Sequence, residues 1–303
     1  MPYGHFTRHD VLRLGGAALA AMVQPWPLLA EAPGQPGAPE KNVLFFTKSA
    51  EYEHDVVRRD DGRLGLAETT LVQRGQEHGI AVTASKDGTV FDRDIERYDA
   101  FVFYTTGDLT TPGEDRQPPM SPGGKAALLS AIKAGKGFVG LHCASDTFHS
   151  AGERYQPQEQ RDPYINMLGG EFISHGEQQP ARLRVVDAGF PGMPMAGAGF
   201  VLYEEWYSLK NFAPDLHVIL VLETAGMHGR EYQRPPYPAT WTRQHGAGRV
   251  FYTCLGHRAD VWSQPLFQAI VFGGLAWVLG KADADISPNL SQITPGAHTM
   301  PPQ

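Results

Sequence analysis

Strongly apolar runs alternate with segments of helical spacing through the first half of this chain, and this alternation constrains the fold most. Residues 42–46, 100–104 and 137–141 are apolar at consecutive positions, as in strands buried on both faces. The intervening segments 66–78 and 122–134 have helical spacing, and each is followed by a glycine. Strands separated by helices of this length predict βαβ units and a parallel sheet.

The second half of the chain has a different pattern, richer in short strands. Five more strands are predicted, at residues 183–186, 201–206, 218–222, 238–242 and 249–252. A glycine-containing turn at 245–248 favours a hairpin, and the apolar segment 266–279 predicts a closing helix packed on the sheet. We therefore predict an α/β fold with a mostly parallel sheet flanked by helices and an added β-rich second half.

Composition narrows the class of protein further. The chain has 303 residues, of which 42% are hydrophobic and 19% charged, as in ordinary globular proteins. The net charge is -7 and no basic run is present, which argues against a nucleic-acid partner. Two cysteines, Cys143 and Cys254, make no disulfide framework and leave their pairing open.

The first 32 residues predict an export signal. Arg8 precedes a short apolar stretch at 14–23 that is too short to span a membrane. The segment looks like a twin-arginine signal in which His9 replaces the second arginine. We expect a signal at 1–32, a linker at 33–40, one domain at 41–281 and a flexible tail at 282–303. This organisation predicts an exported, periplasmic protein without a membrane span, and it leaves the oligomeric state open.

Several polar residues follow directly after predicted strands. Ligands of open parallel sheets bind beyond the carboxyl ends of the strands, which all lie at one edge. Four histidines are therefore expected to converge there, with Glu205 as a fifth member: His54, His142, His175 and His257. Thr106 and Asp146 follow strand ends in the same way. Because the pKa of histidine lies near ~6.5, such a cluster suits proton transfer near neutral pH.

Two kinds of chemistry fit this set of residues. In the first, His142 acts as a base, and Glu205 or Asp146 orients or protonates the substrate. In the second, His142, His175 and His257 would hold a metal ion, and Zn²⁺ suits imidazole ligands. No compact spacing such as H-E-x-x-H is present, so the metal hypothesis depends on the predicted convergence alone and no cofactor is firmly predicted. A nucleotide cofactor is not supported, since no G-x-G-x-x-G follows the first strand.

Six segments in order carry a resemblance to a known family. They are FTKSAEYEHD at 46–55, YDA through TTGD at 98–108, GLHCASD at 140–146, GGEFISH at 169–175, EEWY at 204–207, and PATWTR through LGH at 238–257. Together they resemble the ThuA (trehalose-utilisation) family from about residue 42 to 280. The resemblance implies a flavodoxin-like fold similar to that of class I glutamine amidotransferases.

The comparison with those amidotransferases bears on the chemistry. Their catalytic cysteine occupies a sharp strand-to-helix turn, G-x-C-x-G, where backbone amides can form an oxyanion hole. The corresponding turn here is G-L-H-C-A at 140–144, so His142 occupies the nucleophile position and Cys143 comes one residue late. We expect Cys143 to point into packing, and the chain not to be a cysteine amidotransferase.

The resemblance also implies a small-molecule carbohydrate as substrate, either a glycoside or a disaccharide, with sugars oxidised at C3 as candidates. His142, Glu205, Asp146 and His257 are assigned to catalysis, and His54, Thr106, His175 and Tyr207 to substrate binding. The reaction would be that of a hydrolase, lyase or isomerase using acid–base catalysis by histidine and glutamate. Two alternatives remain open: a non-catalytic sugar-binding or accessory module, and a metal-dependent hydrolase.

Overall fold

The computed structural model describes residues 41–303, so the predicted export signal and linker lie outside the described residues. The strands are β1 (Lys41–Phe46), β2 (Ile80–Ser85), β3 (Ala100–Phe103), β4 (Gly137–Leu141), β5 (Glu171–His175), β6 (Gln179–Val185), β7 (Gly199–Glu204), β8 (Tyr207–Lys210), β9 (His217–Glu223), β10 (Tyr237–His245) and β11 (Gly248–Thr253). The helices are α1 (Leu66–Glu77), α2 (Val90–Arg93), α3 (Pro122–Lys133), α4 (Pro163–Leu168), α5 (Ala259–Trp262), α6 (Pro265–Val278) and α7 (Leu290–Ile293). Within residues 41–303, no helix is long and apolar enough to cross a lipid bilayer.

Nine of these strands form one sheet in the order β2-β1-β3-β4-β11-β10-β9-β6-β7. The first five are mutually parallel, in the strand order of flavodoxin-like folds. From β11 to β7 every pairing is antiparallel. The predicted α/β class, the parallel core and the β-rich second half are therefore confirmed. Strand β11 joins the two halves, because it pairs in parallel with β4 and antiparallel with β10.

The consecutive apolar residues of the core strands are explained by helices on both faces of the sheet. Successive strand residues point to opposite faces. Phe46 packs edge-on against Phe91 of α2, with ring centroids 4.8 Å apart, whereas Phe45 contacts Trp262 of α5 at 6.4 Å. Each face of β1 is thus covered by a different helix layer, which is why the strand shows no alternation of apolar and polar residues.

A separate two-stranded sheet, β5 with β8, was not predicted. Its antiparallel register places His175 opposite Tyr207 and Phe172 opposite Leu209. The two strands are more than thirty residues apart in the sequence, so no local turn pattern indicates their pairing. This small sheet carries His175 and Tyr207 to the site described below.

The segment 282–303, expected to be a flexible tail, instead packs against the domain. Asn289 accepts a hydrogen bond from Val218 N at 2.7 Å and donates one to Val218 O at 3.2 Å. Ala297 is fully buried, and its carbonyl accepts a hydrogen bond from Arg234 at 2.6 Å. Its Pro, Ser and Thr content resembles that of unstructured chain, but these contacts join it to strands and loops more than sixty residues away.

Arg234→Ala should destabilise the protein and release this segment. The buried guanidinium donates to Ser208 Oγ, Leu209 O and Ala297 O at 3.1, 2.6 and 2.6 Å. Its loss leaves buried carbonyls without donors, at a cost of about 2–4 kcal/mol in the free energy of unfolding. Urea denaturation measures this cost, and limited proteolysis reports release of the segment.

The exposed Arg230 provides the control for this experiment. Arg230→Ala should change the free energy of unfolding by no more than about 0.5 kcal/mol. The two variants could prove equally stable, and Arg234→Ala could show no increase in cleavage near its carboxyl terminus. That result would show that Arg234 does not hold the segment.

Candidate active site

Four loops meet at the carboxyl edge of the parallel strands. His54 follows β1, Thr106 follows β3, His142 follows β4 and His257 follows β11. The strand order places the ends of β1, β3, β4 and β11 next to one another. This edge is where open α/β sheets bind ligands.

His142 occupies a strained strand-to-helix turn, at the start of a 3-10 turn over His142–Asp146. Its φ is +43°, in the left-handed region that non-glycine residues rarely adopt. Tyr252 holds the turn by donating a hydrogen bond to His142 O at 2.7 Å. Strain of this kind persists only where the surrounding structure enforces it, and it is concentrated at functional sites.

The neighbouring Cys143 is fully buried and unpaired, as is Cys254, so the two cysteines form no disulfide. Burial raises the pKa of the Cys143 thiol well above its ordinary value, and the charge of Asp146 raises it further. A thiol with these properties is a poor nucleophile. The expectation that Cys143 points into packing agrees with this environment.

Three imidazoles form a compact triangle at this edge. The ring centroids of His54, His142 and His257 are 5.1 to 5.2 Å apart in all three pairs. Glu205 completes the group: its Oε1 lies 3.1 Å from His257 Nδ1 and 3.6 Å from His142 Nε2. One potential ligand atom from each of these four residues lies within 4.8 Å of every other. We call these four residues the His/Glu centre.

The tautomer of His142 follows from its hydrogen bond to the backbone. Its Nδ1 lies 2.9 Å from Cys254 O, and a carbonyl oxygen can only accept. Nδ1 therefore carries a proton, and Nε2 faces Glu205 and His257. A backbone contact of this type is a common means of orienting a metal-binding or basic histidine.

The orientation of His257 is set by Gln178 and Arg258. Arg258 Nη1 donates to Gln178 Oε1 at 2.8 Å, so the amide nitrogen of Gln178 faces His257 Nε2 at 3.0 Å. This nitrogen can only donate, which leaves the His257 proton on Nδ1, next to Glu205. Neither Gln178 nor Arg258 was predicted, because no local pattern in the sequence indicates them.

Glu205 and His54 have opposite electrostatic environments. Burial alone would raise the pKa of Glu205, but hydrogen bonds and charges from His142 and His257 hold it well below its usual range. For His54, burial and the nearby charges of His142 and His257 lower the pKa well below 6.5. The centre therefore contains an anionic carboxylate and a neutral, buried imidazole at neutral pH. The Nδ1 of His54 is buried and has no hydrogen-bond partner among the described residues.

His175 and Tyr207 lie beside the centre. His175 Nδ1 is 3.3 Å from Glu205 Oε2, and its side chain is 45% exposed. The Tyr207 ring packs against His142 with centroids 4.2 Å apart and is almost completely buried. His175 is thus accessible from the cleft described below, whereas Tyr207 forms a buried wall behind His142.

Two other predicted site residues have different partners from those expected. Thr106 is buried, and its hydroxyl donates to Tyr52 O at 3.0 Å, so it positions the loop before His54 rather than facing a substrate. Asp146 accepts hydrogen bonds from His149 at 2.8 Å and Arg154 at 3.2 Å instead of orienting His142. Their backbone positions agree with the prediction, but their side chains are committed to other partners.

A second charged cluster surrounds His149, which was not predicted. Its two ring nitrogens lie 2.8 Å from Asp146 Oδ1 and 3.3 Å from Glu171 Oε1. It thereby links the turn that begins at His142 to the start of β5. Burial alone would lower the pKa of His149, but the hydrogen bonds to Asp146 and Glu171 raise it to about 9. The i, i+3 spacing of Asp146 and His149, just after a strand end, was the one feature of the sequence that could have indicated their contact.

A cleft of about 490 Å³ leads from the surface to Glu205. It is lined by His175, Gly176, Glu177, Gln178, Glu205, His228, Gly229 and Glu231. Its volume falls in the range of small-molecule sites. Tyr52 is 58% exposed, and its ring packs edge-on against His54 with centroids 4.9 Å apart.

The His149 cluster predicts a loss of stability at alkaline pH. The folded pKa of about 9 lies above the ordinary value of 6.5. The resulting stabilisation is complete below pH 6.5 and disappears as the pH rises through 9. A shift of this size corresponds to roughly 3 kcal/mol. Urea denaturation between these pH values should show the decline in wild type and a flatter profile in His149→Gln.

The same substitution at the exposed His228 serves as control. His228→Gln should keep the alkaline decline of wild type. If His149→Gln kept it too, the decline would belong to another group and the assigned role of His149 would be refuted.

Comparison with known proteins identifies relatives of this chain. The family model described as ThuA, trehalose utilisation, matches residues 42–278. A ThuA-like protein from Bacteroides uniformis has a TM-score of 0.57 and 17% identity, with 84% of this chain and 98% of that chain covered. One from Parabacteroides merdae has a TM-score of 0.55 and 18% identity, with 87% and 96% covered. At these identities the likeness concerns the fold. No curated protein sequence matches this chain significantly.

Proposed function

The chain belongs to the ThuA family, and from that premise we propose that it is a metal-dependent enzyme that processes a carbohydrate. The family description, trehalose utilisation, supports a carbohydrate-related role. The cleft leading to Glu205 has a suitable volume for a small ligand and is lined by side chains that can hydrogen-bond sugar hydroxyls. The proposed substrate is a glycoside or disaccharide, including sugars oxidised at C3.

The spacing of the donor atoms in the His/Glu centre carries the metal part of the proposal. A tetrahedral zinc ion with bonds of about 2.0–2.1 Å needs ligand atoms about 3.3 Å apart. Three separations among Glu205 Oε1, His142 Nε2 and His257 Nδ1 are 3.1, 3.2 and 3.6 Å. Three imidazoles and one carboxylate are also a chemically suitable donor set for Zn²⁺.

The proposed ligands differ from the set suggested by the sequence alone. His142, His257 and Glu205 would hold the ion, with His54 as the fourth candidate. On His257 the ion would take the place of the proton on Nδ1. His175 is not in this set, because its Nδ1 approaches Oε2 of Glu205 and not Oε1, and its side chain is half exposed. When bound, a divalent ion supplies Lewis acidity for polarising a sugar oxygen.

The surrounding residues would orient the ligands and move protons. The carbonyl of Cys254 keeps the proton of His142 on Nδ1, so that Nε2 stays available. His175 combines exposure with a 3.3 Å contact to Glu205, which suits proton exchange between substrate and centre. Tyr52 is an exposed aromatic surface on which a sugar ring could stack.

A specific observation favours metal-free acid–base catalysis as the second candidate. The hydrogen bond from Gln178 leaves the proton of His257 on Nδ1, facing the ionised carboxylate of Glu205 at 3.1 Å. A His–Glu pair of this kind can pass a proton to and from a sugar without a metal. His142 would then be the base.

Elemental analysis combined with activity assays distinguishes these candidates. Purified protein should contain about one equivalent of Zn²⁺ or another first-row ion, as expected for one four-ligand centre. It should convert trehalose, another neutral disaccharide or a C3-oxidised counterpart, with products followed by NMR. Chelation should abolish turnover, and added metal should restore it. His142→Ala should weaken metal binding roughly tenfold or more.

His245→Ala, at the end of the β10 hairpin strand, is the matched control and should keep both metal and turnover. Full turnover by metal-free protein would refute the metal-dependent reaction and support the acid–base candidate. Sugar binding without turnover, under all metal conditions, would refute both and support a binding module.

A further inference from the structure

Glu204 is a buried carboxyl group directly next to the centre in sequence. It ends β7, and Glu205 follows it. Successive residues of an extended chain point in opposite directions. Accordingly Glu205 contacts the histidines, whereas Glu204 is fully buried and contacts the backbone of the loop after β11.

One oxygen of Glu204 accepts hydrogen bonds from three consecutive backbone amides. Oε1 lies 2.9 Å from Gly256 N, 2.5 Å from His257 N and 3.3 Å from Arg258 N. The φ of Gly256 is +115°, a conformation that side chains disfavour. Three amides directed at one point form an anion-binding concavity in the backbone. In this loop the group at that point is the carboxyl group of Glu204.

This contact connects the chain neighbour of Glu205 to the backbone of His257, so it joins two members of the His/Glu centre. Glu205 belongs to the centre itself, and its chain neighbour Glu204 holds the backbone of His257. The two-residue segment therefore fixes both ends of the 3.1 Å contact between Glu205 Oε1 and His257 Nδ1. A displacement of this loop by about 1 Å would remove the ligand spacing that suits a metal ion.

A role in stability alone does not account for Glu204. Its second oxygen, Oε2, is buried and has no hydrogen-bond partner among the described residues. A buried polar atom without a partner costs free energy, and such atoms are uncommon in native proteins. The carboxyl group is thus placed where it constrains a loop at an energetic cost.

We propose that Glu204 is a positioning residue that sets the distance between His257 and Glu205, and thereby the geometry of the centre. The metal-binding consequence rests on the proposed function, whereas the restraint of the loop does not. Glu204 is not one of the proposed ligands and does not line the cleft. It acts through the backbone of residues 256–258.

Two substitutions separate positioning from a general structural effect. Glu204→Ala removes the acceptor, so amides 256–258 should exchange hydrogen at least about tenfold faster in metal-free protein. Co²⁺ binding should weaken roughly 10–100-fold, with a changed visible absorption spectrum, as for other partners that orient metal ligands. Glu204→Gln keeps the acceptor oxygen and should restore slow exchange and the wild-type Co²⁺ spectrum.

The matched control is Glu223→Ala. Glu223 also ends a strand, β9, but pairs with Arg184 at 2.6 Å. The Glu223→Ala substitution should leave the amide hydrogen exchange of residues 256–258 and the Co²⁺ spectrum unchanged. Should Glu204→Ala not fold, Glu204→Asp withdraws the carboxylate by one methylene and should show the same two effects in weaker form.

The outcomes distinguish this inference from the proposed function. Unchanged amide exchange in Glu204→Ala would refute the restraint. Faster exchange with an unchanged Co²⁺ affinity and spectrum would refute the effect on geometry. If wild-type protein bound no Co²⁺, the proposed function would fail. The restraint would then be judged by amide exchange and by the ¹⁵N shifts of the His257 ring, which should change in Glu204→Ala and recover in Glu204→Gln.

Discussion

The arrangement of the site depends on the contact between one buried carboxylate, that of Glu205, and the histidines around it. His142, His175 and His257 approach it from three separate strands, with nitrogen–oxygen distances of 3.1 to 3.6 Å. Burial disfavours the charged carboxylate, and close imidazoles disfavour one another's protonation. Each of these costs is reduced by the other group, because the imidazoles stabilise the anion and the anion offsets their mutual repulsion. The carboxylate and the imidazoles therefore stabilise one another.

The backbone around this unit is equally constrained. The left-handed conformation of His142 directs its ring into the centre from the end of β4. The amides after β11, which could have bound a reacting oxyanion, are occupied by Glu204. The turn after β4 thus presents an imidazole, and the neighbouring thiol of Cys143 is buried. These features suit proton transfer or metal binding better than attack by a thiol.

Much of the site was predictable because parallel strands end at a common edge. That rule gave the positions of His54, His142 and His257 from their places after apolar runs. Thr106 and Asp146 satisfy the same rule, yet their side chains bind Tyr52 O and His149. The rule specifies where the backbone lies and says nothing of side-chain direction, which changes sharply within a turn.

Periodicity determined the parallel core, its buried strands and the place of His142 directly after one of them, because burial on one or two faces imposes a local pattern on the sequence. Tertiary structure decided which atoms meet. It grouped His54 and Glu205, and not His175, with His142 and His257 as the residues that could hold a metal ion. It also brought Gln178 to His257 and Glu204 to the loop after β11, and it packed the segment 282–303 on the domain. These partners are separated by fifty residues or more. Their contacts depend on how distant strands pair, which no local spacing encodes.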